Sequence, residues 1–457
     1  MATAVNPLRP PAGSPRPYRF PHFERQRLAN GLTIWLVPLA DRELASVHLL
    51  FDAGAASEEE QHGGVAALTA RVLVTGTRRL DAAAFAEASE QLGIEVSSES
   101  SWDSARAAFQ ATTEHVPAGL ELLTEMVREP RMDSGEFERL RAERLADILQ
   151  AHADPRTLAD EAFLRFVFDE TTAYRRPAAG TTETVEALVL DDVRTFHERH
   201  YAPSNAHLIL SGRFDAAALV SAAERLLGDW SVEGSGHRPI AAAASSTTRR
   251  VVVVDRPGSV QSELRVGHIG IDRYDADFFP ALVLGALLGG VFNSRLNRRL
   301  REELGYTYGA RAAFDPRRSA GPFATAAAVQ TAVTVDAVKE ILVQLDSVRA
   351  APAEEAELRD VKDYLIGVFP LRFETTAGVA AAIEPLAVYG LPDDYWVTYR
   401  DRIDAVAAGD VLGAAQRLVR PSELAIVMAA EAERVGTALE GADFGPVEIV
   451  EAEPAAD

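Results

Sequence analysis

The strongest constraint on the fold is a repeat of order rather than of residues: the two halves of the 457-residue chain run through the same succession of elements. Each half opens on an alternating strand, passes through a helix-rich middle and a second set of strands, and closes with long helices and a last strand. In the first half the opening strand covers residues 44–53 and the closing one 205–212, in YAPSNAHLILSG. Their counterparts in the second half are 262–271 and 422–429, in RPSELAIVMA. The matching helices begin at Glu136, in EFERLRAERLADIL, and at Glu354, in EEAELRDVKDYLIG, both apolar at helical spacing with charges between. A period of about two hundred residues is too long for a solenoid and points to an ancient internal duplication. The expected fold class is α+β: two homologous lobes, each a mainly antiparallel sheet with helices packed on one face.

Small and polar residues in SGHRPIAAAASSTTRR place a linker at 235–250, between a first lobe at 18–234 and a second at 251–432. With 47% hydrophobic residues, the chain has apolar material for more than one core. The Pro-rich start reads as a disordered leader over 1–17, with no apolar stretch of signal-peptide length, and the acidic end over 433–457 as a loose tail. The longest apolar segment, 278–292, is too short and Gly-interrupted to cross a bilayer, so it reads as a buried helix and no membrane partner is expected.

There is no cysteine, which removes disulfides, thiolate ligands and cysteine nucleophiles and fits a reducing cytoplasm. Lys and Arg number 46 against 68 Asp and Glu, and a net charge of −22 repels phosphate backbones, so nucleic acid is not an expected partner.

The segment GVAALTARVLVTGT, 64–77, resembles in frame and flanks the zinc-site helix of pitrilysin/insulinase-type peptidases, where HxxEH fills the middle. LANGLTIWLVP, FDAGAASEEE and YAPSNAHLILSG surround it in matching order, and RPGSVQSELRVGH and LGGVFNSRLNRRLREELGYTYG resemble the family's second lobe. The resemblance runs over residues 18–432. It implies zinc held by two histidines four apart on one helical face, a carboxylate beside the second as general base, and a third carboxylate ligand on a later helix.

Carried onto this chain, the histidine positions fall on Ala67 and Arg71, the base on Ala70 and the third ligand on Asp147. Alanine has no lone pair, and arginine puts a permanent cation where the metal would sit. No metal is expected in this chain. The resemblance leaves two readings of the remnant: Arg71 pairs with Asp147 in place of the metal, or Arg71 reaches into a solvent-filled cleft while Asp147 is hydrated. The one tight histidine pair, His197 and His200, has neither zinc-binding order and reads as an exposed helix C-terminus.

The resemblance also implies an arginine and a tyrosine, six residues between them, that grip substrate and developing oxyanion over the zinc. Arg301 with Tyr308 fits, Leu300 preceding and Glu302–Glu303 following the arginine; Arg299 with Tyr306 has the same spacing. A helix over about 294–304 stopped by Gly305 and followed by a strand is expected, with Tyr306 and Tyr308 on one strand face. Gly289 and Gly290 either admit a substrate peptide backbone or form an ordinary helix-to-helix turn.

The resulting expectation is a non-catalytic subunit of a heteromeric zinc peptidase. A sister subunit carries HxxEH and the zinc, and this chain lends Arg301 and Tyr308 to a peptide substrate in trans. The alternative is a peptide-binding or scaffold protein of the same fold with no part in hydrolysis.

Overall fold

The computed structural model describes residues 16–232, 240 and 248–452. The leader and the linker expected from the sequence lie almost wholly outside the described residues.

The first sheet holds β1 (Glu24–Arg27), β2 (Thr33–Pro38), β3 (Leu44–Phe51), β4 (Ser97–Ser100), β5 (Ala105–Thr112) and β6 (Ala206–Gly212), in the order β1-β2-β6-β3-β5-β4. The second holds β7 (Arg250–Asp255), β8 (Gln261–Ile269), β9 (Ala310–Phe314), β10 (Pro322–Gln330), β11 (Ala425–Ala430) and β12 (Val447–Glu451), in the order β12-β7-β11-β8-β10-β9. Both are mainly antiparallel, with β2 parallel to β6 in one and β7 parallel to β11 in the other. The duplication is thus visible strand by strand. The outermost strands differ: β1 is antiparallel to β2, whereas β12 is parallel to β7.

The helices that matter for the site are α1 (Val65–Leu73), α2 (Ser134–His152), α3 (Pro155–Val167), α4 (Phe278–Gly285), α5 (Thr334–Ala350), α6 (Glu355–Val368), α7 (Thr376–Tyr389) and α8 (Ala432–Glu440). Their starts are written in the sequence. The Asp133 carboxylate accepts the Gly135 and Glu136 N–H groups, and Asp154 accepts that of Arg156 just before Pro155.

Each sheet has helices of its own lobe on one face, and on the other a helix supplied by the opposite lobe. Along β3, Ala45, Val47, Leu49 and Phe51 enter the first lobe's core, while Leu50 on the alternate face joins the second lobe's core. On that alternate face Ser46 meets Thr376 at 2.9 Å, and His48 meets Glu384 at 2.6 Å, both from α7. The exchange is reciprocal. Along β8, Leu264 and Val266 face their own core, whereas Arg265 reaches Asp160 of α3 at 2.5 Å. Phe163 and Val167 of α3 pack with Val252, Ile269 and Val427 of the second sheet. Strands covered on both faces read as near-continuous apolar runs.

A polar clasp adds to this. The buried Asp103 carboxylate accepts the Tyr174 hydroxyl at 2.7 Å, the Arg318 backbone N–H at 3.0 Å and the Tyr389 hydroxyl at 3.1 Å.

Over its described residues, 433–452, the segment expected as a loose acidic tail forms regular structure. Helix α8 buries Ala432, Val435 and Leu439, and β12 extends the second sheet beside β7. An amphipathic helix and a strand of alternating Val, Ile and Glu carry the acids on their exposed sides, so composition alone hid both. Among the described residues no single helix is long and apolar enough to cross a membrane; the nearest approach, Glu355–Phe373 with Thr376–Tyr389, is bent by 112°.

Candidate functional site

Helix α1 starts at Gly64, whose φ of +94° and crowding against the Ala179 carbonyl leave no room for a side chain. Its first N–H groups are satisfied from upstream: the Glu58 carboxylate accepts Gly64 N–H at 3.1 Å and Ala66 N–H at 2.8 Å. Burial pushes the Glu58 carboxyl up to about 8, although those two bonds and the Arg176 charge pull it down. Val65, Ala66, Leu68, Thr69, Ala70, Val72 and Leu73 are buried. Ala67 and Arg71, one turn apart, are left half-buried.

Across from α1, helix α2 carries Asp147, and Arg71 Nη2 donates to Asp147 Oδ2 at 2.6 Å. The two side chains keep 37% and 43% of their exposure, so the bridge is worth about 0–1 kcal/mol. Arg144, whose Nε donates to the Ala179 carbonyl at 3.0 Å, borders the pair; burial first, then the like charge of Arg71, lowers its guanidinium from the ordinary value.

These residues do not fit zinc. Ala67 offers no ligand atom, Ala70 is closed into the core, and Arg71 presents a cation that already holds the one remaining carboxylate. Among the described residues no group of three His, Asp or Glu side chains is arranged to hold a metal ion. His197 and His200 do close a helix, Leu190–His200, but they are buried rather than exposed. His197 Nε2 faces the Val127 carbonyl at 2.7 Å, and burial lowers both imidazoles, His200 to about 4.

In the second lobe the two arginine candidates separate. Both lie on the π-helical segment Asn297–Glu303. Arg299 is committed: it grips Glu340 of α5 through Nε at 2.8 Å and Nη2 at 3.1 Å, and Glu303 through Nη1 at 2.8 Å. Arg301 instead lies over the Phe292 ring, 4.5 Å from its centroid, with the neighbouring Glu302 carboxylate at 3.3 Å. The tyrosines separate too. Tyr306 packs against the core, whereas Tyr308 is 94% exposed. Contrary to expectation they share no strand face: both stand in the loop after Gly305, whose φ is +65°, and β9 begins only at Ala310.

Gly289 does permit a close approach, to the chain's own β9. A Cβ there would come within 2.2 Å of the Ala312 nitrogen. Gly290, beside it, is exposed. Sequence reasoning missed Phe292 and Asn297. Asn297 is buried, and its amide donates to the Val291 carbonyl at 3.3 Å and to the Ser294 hydroxyl at 3.1 Å, while its Oδ1 accepts the Ala310 N–H at 2.8 Å. A polar residue four before Arg301 on an apolar face was the available signal.

Residues 37–181 match the family model described as insulinase, peptidase family M16, and residues 187–365 match that of the peptidase M16 inactive domain. The chain is 24% identical over 370 residues to the non-peptidase homolog YmxG of Helicobacter pylori, covering 80% of this chain and 84% of that one. It is also 24% identical over 365 residues to an uncharacterized zinc protease of Streptomyces coelicolor, covering 78% of each. Among solved structures, a peptidase M16 inactive domain from Pseudomonas fluorescens superposes with a TM-score of 0.84 at 22% identity, over 89% of this chain and 98% of that one. A chain of complex III from Candida albicans gives 0.77 at 18% identity, over 93% and 99%. Matched over both lobes, the chain belongs to the M16, or insulinase, family of peptidases.

Proposed function

We propose that this chain is the non-catalytic subunit of a heteromeric M16 zinc peptidase. A sister subunit carries HxxEH and zinc in its own first lobe, and this chain lends Arg301 and Tyr308 to the peptide held there. The pair works in the cytoplasm, a compartment that suits a cysteine-free chain.

The observation that carries the reading is the contrast between the two sites. In the first lobe Ala67 and Ala70 offer no ligand atom, and Arg71 is paired with Asp147. The second-lobe pair suits such a role, with Arg301 engaged, among the described residues, by Phe292 and its neighbour Glu302, and with Tyr308 in solvent. An arginine kept over an aromatic ring and an exposed tyrosine suit donors aimed at a developing oxyanion. The relatives include both a non-peptidase homolog and a named zinc protease, so membership alone does not decide activity; the side chains at 67, 70 and 71 support the non-catalytic reading.

The test is to purify this chain with any co-purifying HxxEH relative and measure cleavage of a fluorogenic peptide by each alone and by both. Activity only in the mixture, lost on Arg301→Ala in this chain, is the expected result. Full activity of the relative alone would leave the peptide-binding or scaffold reading.

A further inference from the structure

We infer that Phe292 is a positioning residue that holds the Arg301 guanidinium in place by stacking, an inference that rests on the role just proposed for Arg301. Phe292 is 64% exposed, so its ring does not serve the core. What the ring does contact is the guanidinium, 4.5 Å from its centroid. Among the described residues Arg301 otherwise has the adjacent Glu302 carboxylate, and a long side chain with one ionic neighbour samples many rotamers. A flat aromatic face restricts it without consuming the N–H donors that a substrate carbonyl or an oxyanion needs, which a carboxylate like Glu340 on Arg299 would do.

The turn that presents Phe292 is itself fixed. The Val291 carbonyl accepts the Ser294 N–H at 3.1 Å and the Asn297 amide at 3.3 Å, and Ser294 is buried. The same Asn297 side chain holds Ala310, directly after the Tyr308–Gly309 loop, at 2.8 Å. One buried amide therefore pins the turn bearing the ring and the loop bearing the phenol, on the helical segment that bears the arginine.

The experiment reads Arg301 itself. The full-length chain and its Phe292→Tyr and Phe292→Ala variants are treated with phenylglyoxal, and modification of Arg301 is followed by peptide mass mapping. We expect Phe292→Ala to raise the Arg301 rate about two- to fivefold, the loss of an exposed cation–aromatic contact, with Phe292→Tyr unchanged. Arg299, still clamped by Glu340, serves as the internal control for folding. An unaltered Arg301 rate in Phe292→Ala overturns the inference whether or not Arg301 serves a partner. With the zinc-bearing partner added, Phe292→Ala should lower kcat about two- to fivefold with little change in KM, and Phe292→Tyr should restore it. A loss on Arg301→Ala without any on Phe292→Ala overturns the positioning role alone, whereas a silent Arg301→Ala removes the functional reading on which it rests.

Discussion

Arg71 on α1 donates to Asp147 on α2 at 2.6 Å, joining with a side-chain bridge the two helices that the family resemblance sets on opposite sides of a zinc ion. The bridge links the two helices only weakly. Both partners remain about two-fifths exposed, so each keeps much of its hydration and neither is held by charge alone.

A double-mutant cycle with Arg71→Met and Asp147→Asn should accordingly give a coupling of about 0–1 kcal/mol, shrinking further as salt is raised. Chemical denaturation of the four chains measures it. A coupling of several kcal/mol, insensitive to salt, would mean that the pair is sealed from solvent and structurally equivalent to a metal.

Glu58 gives stability an unusual slope on the alkaline side. Its carboxyl, pushed by burial to about 8, binds a proton in the folded chain that the unfolded chain, near 4.5, has already released. The folded state thus holds more protons between those values, and stability must fall as pH rises through the window, by at most about 1.4 kcal/mol per pH unit. His200, His207 and His268, lowered to about 4 by burial, act the other way and elsewhere: their contribution is present above 6.5 and lost as pH falls toward 4. Comparing denaturation at pH 7.0 and 8.0 with that of Glu58→Gln isolates Glu58, and the variant should flatten the slope between them. An identical slope in that variant would refute the assignment.

The exchanged helices should make the two lobes unfold as one cooperative unit. Phe163 belongs to the first lobe by sequence but packs on the second sheet, where it is buried. Phe163→Ala should cost about 3–5 kcal/mol and lower the amide-exchange protection of both sheets together. Loss confined to one sheet would show that the lobes unfold separately.

Much of this was legible in the sequence. The lobes follow from periodicity that survives duplication, and the misfit to zinc rests on the side chains at 67, 70 and 71, which no packing can turn into ligands. The exchange of α3 and α7 was not legible. Ser46, His48 and Arg265 read as polar positions on half-exposed strands, and only Thr376, Glu384 and Asp160, each more than a hundred residues away, show that they are covered. Spacing likewise left Arg299 and Arg301 open, and the contact that bears on the choice, Glu340 on Arg299, comes from a distant helix. Tyr306 and Tyr308 misled for a local reason: Gly305 takes a left-handed conformation and delays the strand until Ala310.

That choice has its own consequence. Arg301→Ala in the assembled peptidase should cost on the order of a hundredfold in turnover, as loss of one oxyanion donor does, while Arg299→Ala should leave turnover unchanged and loosen only the contact with α5. Steady-state kinetics on both variants separates them. The reverse pattern would move the donor role to Arg299 and Tyr306.

The central claim is that this chain carries no catalytic metal, and the most direct measurement is zinc content with peptidase activity on the same purified sample. Elemental analysis should find well under one zinc per chain, and a fluorogenic peptide should remain uncleaved with or without added zinc. One zinc per chain together with cleavage abolished by a chelator would contradict the account.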